Sequence, residues 1–517
     1  MQENLENCQY DLAVIGAGPG GYPAAIRAAQ HGAKVALIEK EKLGGTCLNR
    51  GCIPTKALLA SANLIEKIKH SEEFGVEVKD FNANFTKVVE RKNKIVQELC
   101  DGIAGLQKAW KNDVFMGHGK IIGGDEDSGF KILIEGEDEK IIEAKRIIIA
   151  TGSSPALIQN FNVDHKRILT SDDILDPNFK NTPERLLIIG AGVIGCEFAE
   201  IFSNFECKVT MLEMLPTPLA TEEPIIIKQL EKKFKALGIK IFTSQRVLSI
   251  EPTDSGVKAI TCDVSTPEDQ IADVEKSIFE ADQCLISIGR KKESSDLAEK
   301  DLGMKFRRGA IEVDPSTLET SVKGIYAIGD VTGGMMLAHV ATYEGFIAVA
   351  NALSSLGTFQ INPQKASNRV VPATIFTHPN IASVGLKRKQ AKNLGLDILV
   401  GQFPYQSLGK AKCMGEEGLL MILADKHTLQ IIGASCIGEG APELISEITL
   451  AMQNGLTTED ISSTIHSHPT LSEMVLEAAE AVVGKSIHKK GRPILPSIRE
   501  LLIGPLIYEI EKLTSSQ

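Results

Sequence analysis

One pattern occurs twice in this chain, far apart. Residues 11–40 read DLAVIGAGPGGYPAAIRAAQHGAKVALIEK, and residues 185–214 read RLLIIGAGVIGCEFAEIFSNFECKVTMLEM. Each copy opens with an apolar run suited to a buried parallel strand. It then turns through GxGxxG, continues with helical spacing and ends in a second apolar strand followed by glutamate. The offset is constant, because 174 residues separate Gly16 from Gly190 and also Glu39 from Glu213. Such a repeat predicts two βαβ units, hence two dinucleotide-binding domains. Gly16 and Gly190 allow the tight turn, Gly18 and Gly192 let the helix start approach a pyrophosphate, and Gly21 and Gly195 let helix and strand pack closely. Glu39 and Glu213 are placed to accept hydrogen bonds from a ribose 2′-hydroxyl and to repel a 2′-phosphate. Pro23 interrupts the first pattern, since a helix beginning at Pro19 would lose a backbone hydrogen bond there.

The remaining sequence bounds the class. At 517 residues, several cores are required, and 43% hydrophobic with 24% charged residues is an ordinary globular balance. A net charge of −11 and no long basic block argue against nucleic acid as a partner. No apolar run approaches the roughly 18 residues of a membrane-spanning helix. Ten cysteines are too few for a disulfide scaffold, and the N-terminus lacks a signal-peptide pattern, so a cytoplasmic chain is expected. Short alternating segments at 130–134 and 141–149 predict a small antiparallel element, and 153–181, with Pro155 and Pro177, predicts a crossing between domains. Strands are expected near 373–376, 418–423 and 431–437, then helices from Pro442 and Leu471. The fold class is α/β, with two Rossmann-like units and a C-terminal α+β domain. The expected division is 1–154, 155–283, 284–352, 353–483 and a tail at 484–517. In that tail Ile498, Leu501, Leu502, Leu506, Ile510 and Leu513 form an apolar face, expected to pack on the protein's own surface.

Eight cysteines are scattered without short spacing, which suits buried or idle thiols. Cys47 and Cys52 differ: they lie in GGTCLNRGCIPTKALL, at the expected start of a helix running through Lys56 and Leu59. A helix N-terminus stabilises a thiolate. A zinc site would need further Cys or His ligands nearby, so no metal is expected. In a reducing compartment an isolated, glycine-flanked pair reads best as a redox-active dithiol.

GAGPGG, GGTCLNRGCIPTK, GAGVIG, GIYAIGDVTGGMMLAH and HSHPTLSE, in that order from about residue 12 to 483, resemble the pyridine nucleotide–disulfide oxidoreductase family. The resemblance implies FAD at the first site, with Gly16, Gly18, Gly21, Glu39, Thr151, Gly152, Gly329 and Asp330. It implies NAD at the second, with Gly190, Gly192, Gly195, Glu213 and Gly289. After Gly289 and Arg290 the chain reads KKESS where relatives often carry Arg-Pro. Asp330 could instead cap a helix. Lys56 and Glu197 match an ion pair beside the flavin, and His339 falls in a segment next to it. His468 matches an acid/base catalyst and Glu473 the carboxylate that orients it, supplied across an obligate homodimer; from the residues alone His466 is also eligible.

The branch of the family resembled most implies oxidation of protein-bound dihydrolipoamide. Cys47 would be the sulfur attacked, and Cys52 the sulfur passing electrons to FAD and on to NAD⁺. The partners so implied are the lipoyl domains of 2-oxo acid dehydrogenase complexes and the glycine cleavage system. A mercuric reductase would carry a cysteine pair at its C-terminus, and no cysteine follows Cys436. A glutathione-type enzyme would usually read HPTSSE and prefer NADPH, against Leu471 and Glu213. A silent scaffold subunit would not need Cys47, Cys52, His468 and Glu473 together.

Overall fold

The computed structural model describes residues 8–490, and the tail's apolar positions from Ile498 onward lie outside the described residues. Strand Tyr10–Ile15 pairs in parallel with Val35–Glu39 on one side and with the second half of Lys140–Ile149 on the other. Asp113–Met116 and Ile325–Ala327 extend this parallel part at its two ends. Both faces of this parallel part are covered, one by helices Gly21–Gln30 and Ala338–Ser354 and the other by strands carrying Ile121, Phe130 and Ile132, which is why LAVI and VALI are apolar without alternation. The first half of Lys140–Ile149 pairs antiparallel with Gly129–Glu135, which pairs with His118–Asp125. The antiparallel element is therefore continuous with the parallel sheet.

Helix Gly21–Gln30 follows the first glycine turn. Tyr22 and Ala24 donate to the Gly18 and Gly20 carbonyls at 3.1 and 3.2 Å. Pro23 cannot do the same for Pro19, whose carbonyl instead accepts the Thr342 hydroxyl at 2.7 Å. Thr342 belongs to helix Ala338–Ser354, which lies against Gly21–Gln30. The hydrogen bond removed by proline is thus replaced by a side chain from a distant part of the chain.

The second sheet is wholly parallel, in the order Lys240–Phe242, Lys208–Leu212, Arg185–Ile189, Gln283–Ile286, Ile168–Thr170. Strand Gln283–Ile286 is part of it, so the division expected between residues 283 and 284 runs through a strand and has to move beyond Ile286. Outgoing strand Ser153–Pro155 pairs antiparallel with returning strand Arg290–Lys292, so both connections between the units run side by side. The C-terminal sheet has five antiparallel strands, in the order Pro372–Ile375, Ile381–Gly385, Ile431–Ile437, Leu419–Asp425, Ile398–Pro404. Helices Ala441–Gln453 and Glu473–Val482 pack on it.

One apolar cluster ties these parts together. Leu58 and Phe85 from the first region, Ile188 and Phe202 from the second unit and Ile375 and Ile437 from the C-terminal sheet share a buried core.

Both glycine turns are fixed by the same close approach. A Cβ on Gly21 would lie 1.8 Å from the Gly16 oxygen, and one on Gly195 2.1 Å from the Gly190 oxygen. Gly195→Ala is therefore expected to lower the melting temperature by an amount corresponding to about 1–3 kcal/mol, and to weaken nucleotide binding more than flavin binding. Melting curves with and without NAD⁺ check this; an unchanged curve would contradict the packing described.

Candidate active site

The two repeats match down to single hydrogen bonds. Glu39 accepts from the Ala17 N–H at 2.7 Å and the Glu41 N–H at 2.9 Å. Glu213 accepts from Ala191 at 2.6 Å and Leu215 at 2.8 Å. In each copy the acid at the strand end is held against the glycine turn that its ligand would face. Burial pushes the Glu39 carboxyl up, opposed by the Ala17 N–H. Gly152, Gly192 and Gly289 have no atom within 4 Å of the place a Cβ would occupy. Bare backbone facing open space, beside a carboxylate and a helix start, suits an approaching pyrophosphate and ribose.

Asp330 lies in the short turn Gly329–Thr332, and the long helix begins only at Ala338, so Asp330 does not cap it. Its carboxylate accepts from the Ser153 hydroxyl. Arg290 donates to both the hydroxyl and the carbonyl of Ser153 at 2.6 Å and lies 3.9 Å from Asp330. Arg290 and Ser153, from the paired connections, therefore aim Asp330. Thr151 donates to the Glu293 carbonyl at 2.6 Å, and the His339 ring meets the Pro372 carbonyl at 2.8 Å.

Cys47 sits in helix Gly45–Arg50 and Cys52 is the first residue of helix Cys52–Lys69, with Gly51 as the joint. A Cβ on Gly51 would stand 2.9 Å from the Thr46 oxygen and 3.2 Å from the Cys47 Cα, so only glycine lets the two helices meet this closely. Both cysteines are free thiols and half-buried. The neighbouring Cys47 and the Lys56 ammonium pull the Cys52 thiol down to about 7 against the effect of burial. Cys47 is pushed up by its nearness to Cys52 and by burial. The two thiols titrate as a pair, and the Lys56 ammonium favours the thiolate on the Cys52 side.

Lys56 donates to both oxygens of Glu197, at 2.9 and 2.8 Å. The Glu197 side chain is only 5% exposed. Cys196 beside it is fully buried, its thiol pushed up by burial, and is packing. Two neighbours escaped the sequence reading. Tyr22 lies beside Cys47, and burial pushes its phenol up. Phe376 has its ring centroid 4.5 Å from the Lys56 Nζ. The first could have been suspected from its place directly after GPGG; the second has no local signal.

His468 Nδ1 lies 2.9 Å from Glu473 Oε1, and Glu473 Oε2 accepts from the Thr470 N–H at 2.9 Å. These bonds hold the Glu473 carboxyl below the usual range even though burial opposes it. The His468 side chain is 77% exposed, and its Nε2 has no partner among the described residues. His466 differs, with both ring nitrogens engaged, by Thr464 O at 2.9 Å and Glu447 at 3.0 Å, and a side chain 5% exposed. Only His468 has a nitrogen to offer. No hydrogen bond or ion pair among the described residues joins this dyad to the cysteine cluster.

Residues 10–345 match the model of the pyridine nucleotide-disulphide oxidoreductase family, and residues 371–479 match that family's dimerisation domain. The chain belongs to this family. Curated relatives named dihydrolipoyl dehydrogenase are 40% identical over 486 residues in Chlamydia trachomatis (93% of this chain, 98% of the relative) and in Bacillus subtilis (93% and 99%). The crystal structure of LpdA from Mycobacterium tuberculosis aligns with a TM-score of 0.82 at 27% identity, over 91% of this chain and 99% of that one. The HOCl-induced flavoprotein disulfide reductase RclA from Escherichia coli aligns at 0.78, with the same identity and coverage. The protein is an FAD- and NAD-dependent disulfide oxidoreductase whose dimerisation domain makes it a homodimer. No helix among the described residues is long and apolar enough to cross a membrane.

For a member of this family the cysteine geometry sets a pH dependence. The thiolate fraction of the reduced pair should rise through an apparent midpoint of about 7, below the ~8.5 of an ordinary thiol. Titrating the ultraviolet thiolate absorbance of the dithionite-free, dithiol-reduced enzyme measures it. A midpoint above that of free cysteine would refute the assignment.

Proposed function

We infer that this enzyme reoxidises protein-bound dihydrolipoyl groups to lipoyl disulfides and reduces NAD⁺ to NADH. The observation that carries the reading is the Cys47–Cys52 pair brought together at the Gly51 joint beside the Lys56–Glu197 ion pair, in a chain 40% identical to relatives bearing the dihydrolipoyl dehydrogenase name. In the dimer, Nε2 of His468 takes a proton from a substrate thiol, while Glu473 fixes the ring through Nδ1 and stabilises the imidazolium that forms.

The substrate thiolate attacks Cys47 Sγ of the oxidised pair. The Cys47–Cys52 bond breaks, and Cys52 leaves as a thiolate stabilised by Lys56. The second substrate sulfur then attacks the sulfur bound to Cys47, so the cyclic disulfide departs and the two electrons remain on the cysteines. A bound FAD would supply the two-electron chemistry that carries this pair on to NAD⁺. Gly16, Gly18, Gly21, Glu39, Thr151, Gly152, Gly329, Asp330 and His339 are the flavin-side contacts of this reading, and Gly190, Gly192, Gly195, Glu213 and Gly289 those on the NAD side. Glu213 disfavours a phosphorylated ribose and thereby a glutathione-type, NADPH-using role. The partners are lipoyl domains of 2-oxo acid dehydrogenase complexes and of the glycine cleavage system. A dithiol cycle of this kind suits the reducing cytoplasm.

Purified holoenzyme should reduce NAD⁺, and NADP⁺ poorly, with dihydrolipoamide. His468→Gln is expected to cost about 10²–10⁴-fold in turnover with the flavin spectrum unchanged. Cys47→Ser should abolish lipoamide turnover, and full activity in that variant would sink the scheme.

A further inference from the structure

Helix Val193–Asn204 presents two carboxylates one turn apart to an extended segment of the C-terminal domain. Glu197 Oε1 accepts the Phe376 N–H at 2.9 Å, and both oxygens of Glu200 accept the His378 N–H, at 2.9 and 2.7 Å. Glu200 is fully buried, and that burial drives its carboxyl well above the usual range. The segment is thereby fixed at alternate residues, and the Phe376 ring is set 4.5 Å from the Lys56 ammonium. That ammonium has two partners: the Glu197 carboxylate, and the face of this ring.

We propose that Phe376 is a positioning residue for the redox dithiol, its ring and backbone N–H together holding the Lys56–Glu197 pair where the ammonium favours the Cys52 thiolate. The argument rests on the dithiol reading above. Lys56 and Glu197 act on Cys52 with opposite sign, the ammonium lowering its proton affinity and the carboxylate raising it. Their balance therefore depends on where each charge sits. A ring face attracts an ammonium but carries no net charge, so it can hold Lys56 without cancelling its field as a second carboxylate would. Further charges stand beyond Glu200, where Lys233 pairs with Glu66 and the His378 ring lies 3.7 Å from Glu439. Cys47 and, beyond it, Tyr22 face the other side of Cys52. Arg91, from the adjoining helix, is tied to the Ala57 carbonyl at 3.1 Å.

The test is a pH titration of the long-wavelength absorption that the Cys52 thiolate gives beside the flavin, in dithiol-reduced holoenzyme. Phe376→Leu should move the midpoint up by about half a unit to one unit, and Phe376→Tyr, which keeps the ring, should restore it. Fluorinated phenylalanines at position 376 keep the shape while weakening the ring face, so they remain informative if the leucine variant does not fold; the midpoint should rise with each added fluorine. A midpoint unmoved by leucine or by fluorination, or moved equally by leucine and tyrosine, overturns the proposal. A wild-type protein that gives no such band on reduction by dihydrolipoamide overturns the dithiol reading instead, so the two failures are distinguishable.

Discussion

A carboxylate removed from water has to be met on all sides, and Glu197 shows how much of the molecule that requirement organises. The residue belongs to the helix that follows the second glycine turn. Its oxygens are satisfied by Lys56, one turn after Cys52 in the first unit, and by the Phe376 N–H at the edge of the C-terminal sheet. Three parts of the chain, distant in sequence, therefore meet at one charge. Losing any one of these contacts leaves a buried anion undersatisfied, which costs far more than an exposed ion pair contributes. The apolar core beneath follows the same geometry, with Leu58, Phe202 and Ile375 packed together. The redox pair inherits its surroundings from this junction.

How much of this is legible in a single sequence depends on how local the physics is. The glycine turns are legible because their cause is local: strand and helix can approach only where Gly21 and Gly195 carry no Cβ, and the acid that closes each unit follows at a fixed distance. Even the hydrogen bonds of Glu39 and Glu213 repeat. Elements whose signal is tertiary are not legible. Strand Ile398–Pro404 buries every second residue, yet its outward positions include Ile398 and Val400, so no alternation shows. Gly401, which reads as a break, lies there because a Cβ would fall 2.1 Å from the Ala478 oxygen of the helix crossing the strand. The misplaced boundary at 283/284 has a similar origin, since Gln283–Ile286 is a continuous buried run that nothing local assigns to one sheet rather than another.

The site shows the same division. Cys47, Cys52 and Gly51 form one local motif, and the structure adds the Lys56 ammonium, which favours the thiolate on the Cys52 side. His466 and His468 are alike in residue type, and the spacing to Pro469 and Glu473 is the sequence's one reason to favour His468. What separates them is the partner of the second nitrogen, Glu447 for one and none among the described residues for the other. That difference depends on where helix Ala441–Gln453 packs, which no local pattern contains.

The exposure of His468 also explains why the dimerisation domain is inseparable from the chemistry. A base 77% exposed and joined to no cysteine within its own chain has no proton to take unless another surface is brought to it. On the reading proposed above, a homodimer supplies that surface twice by symmetry, each subunit's base serving the other's dithiol. The C-terminal sheet consequently has two tasks. Helix Glu473–Val482, which begins at the carboxylate holding His468, packs at one edge of the sheet, and Phe376, at the opposite edge, reaches the ion pair beside Cys52. On that reading one sheet joins the base offered to one active site to the cation beside the other.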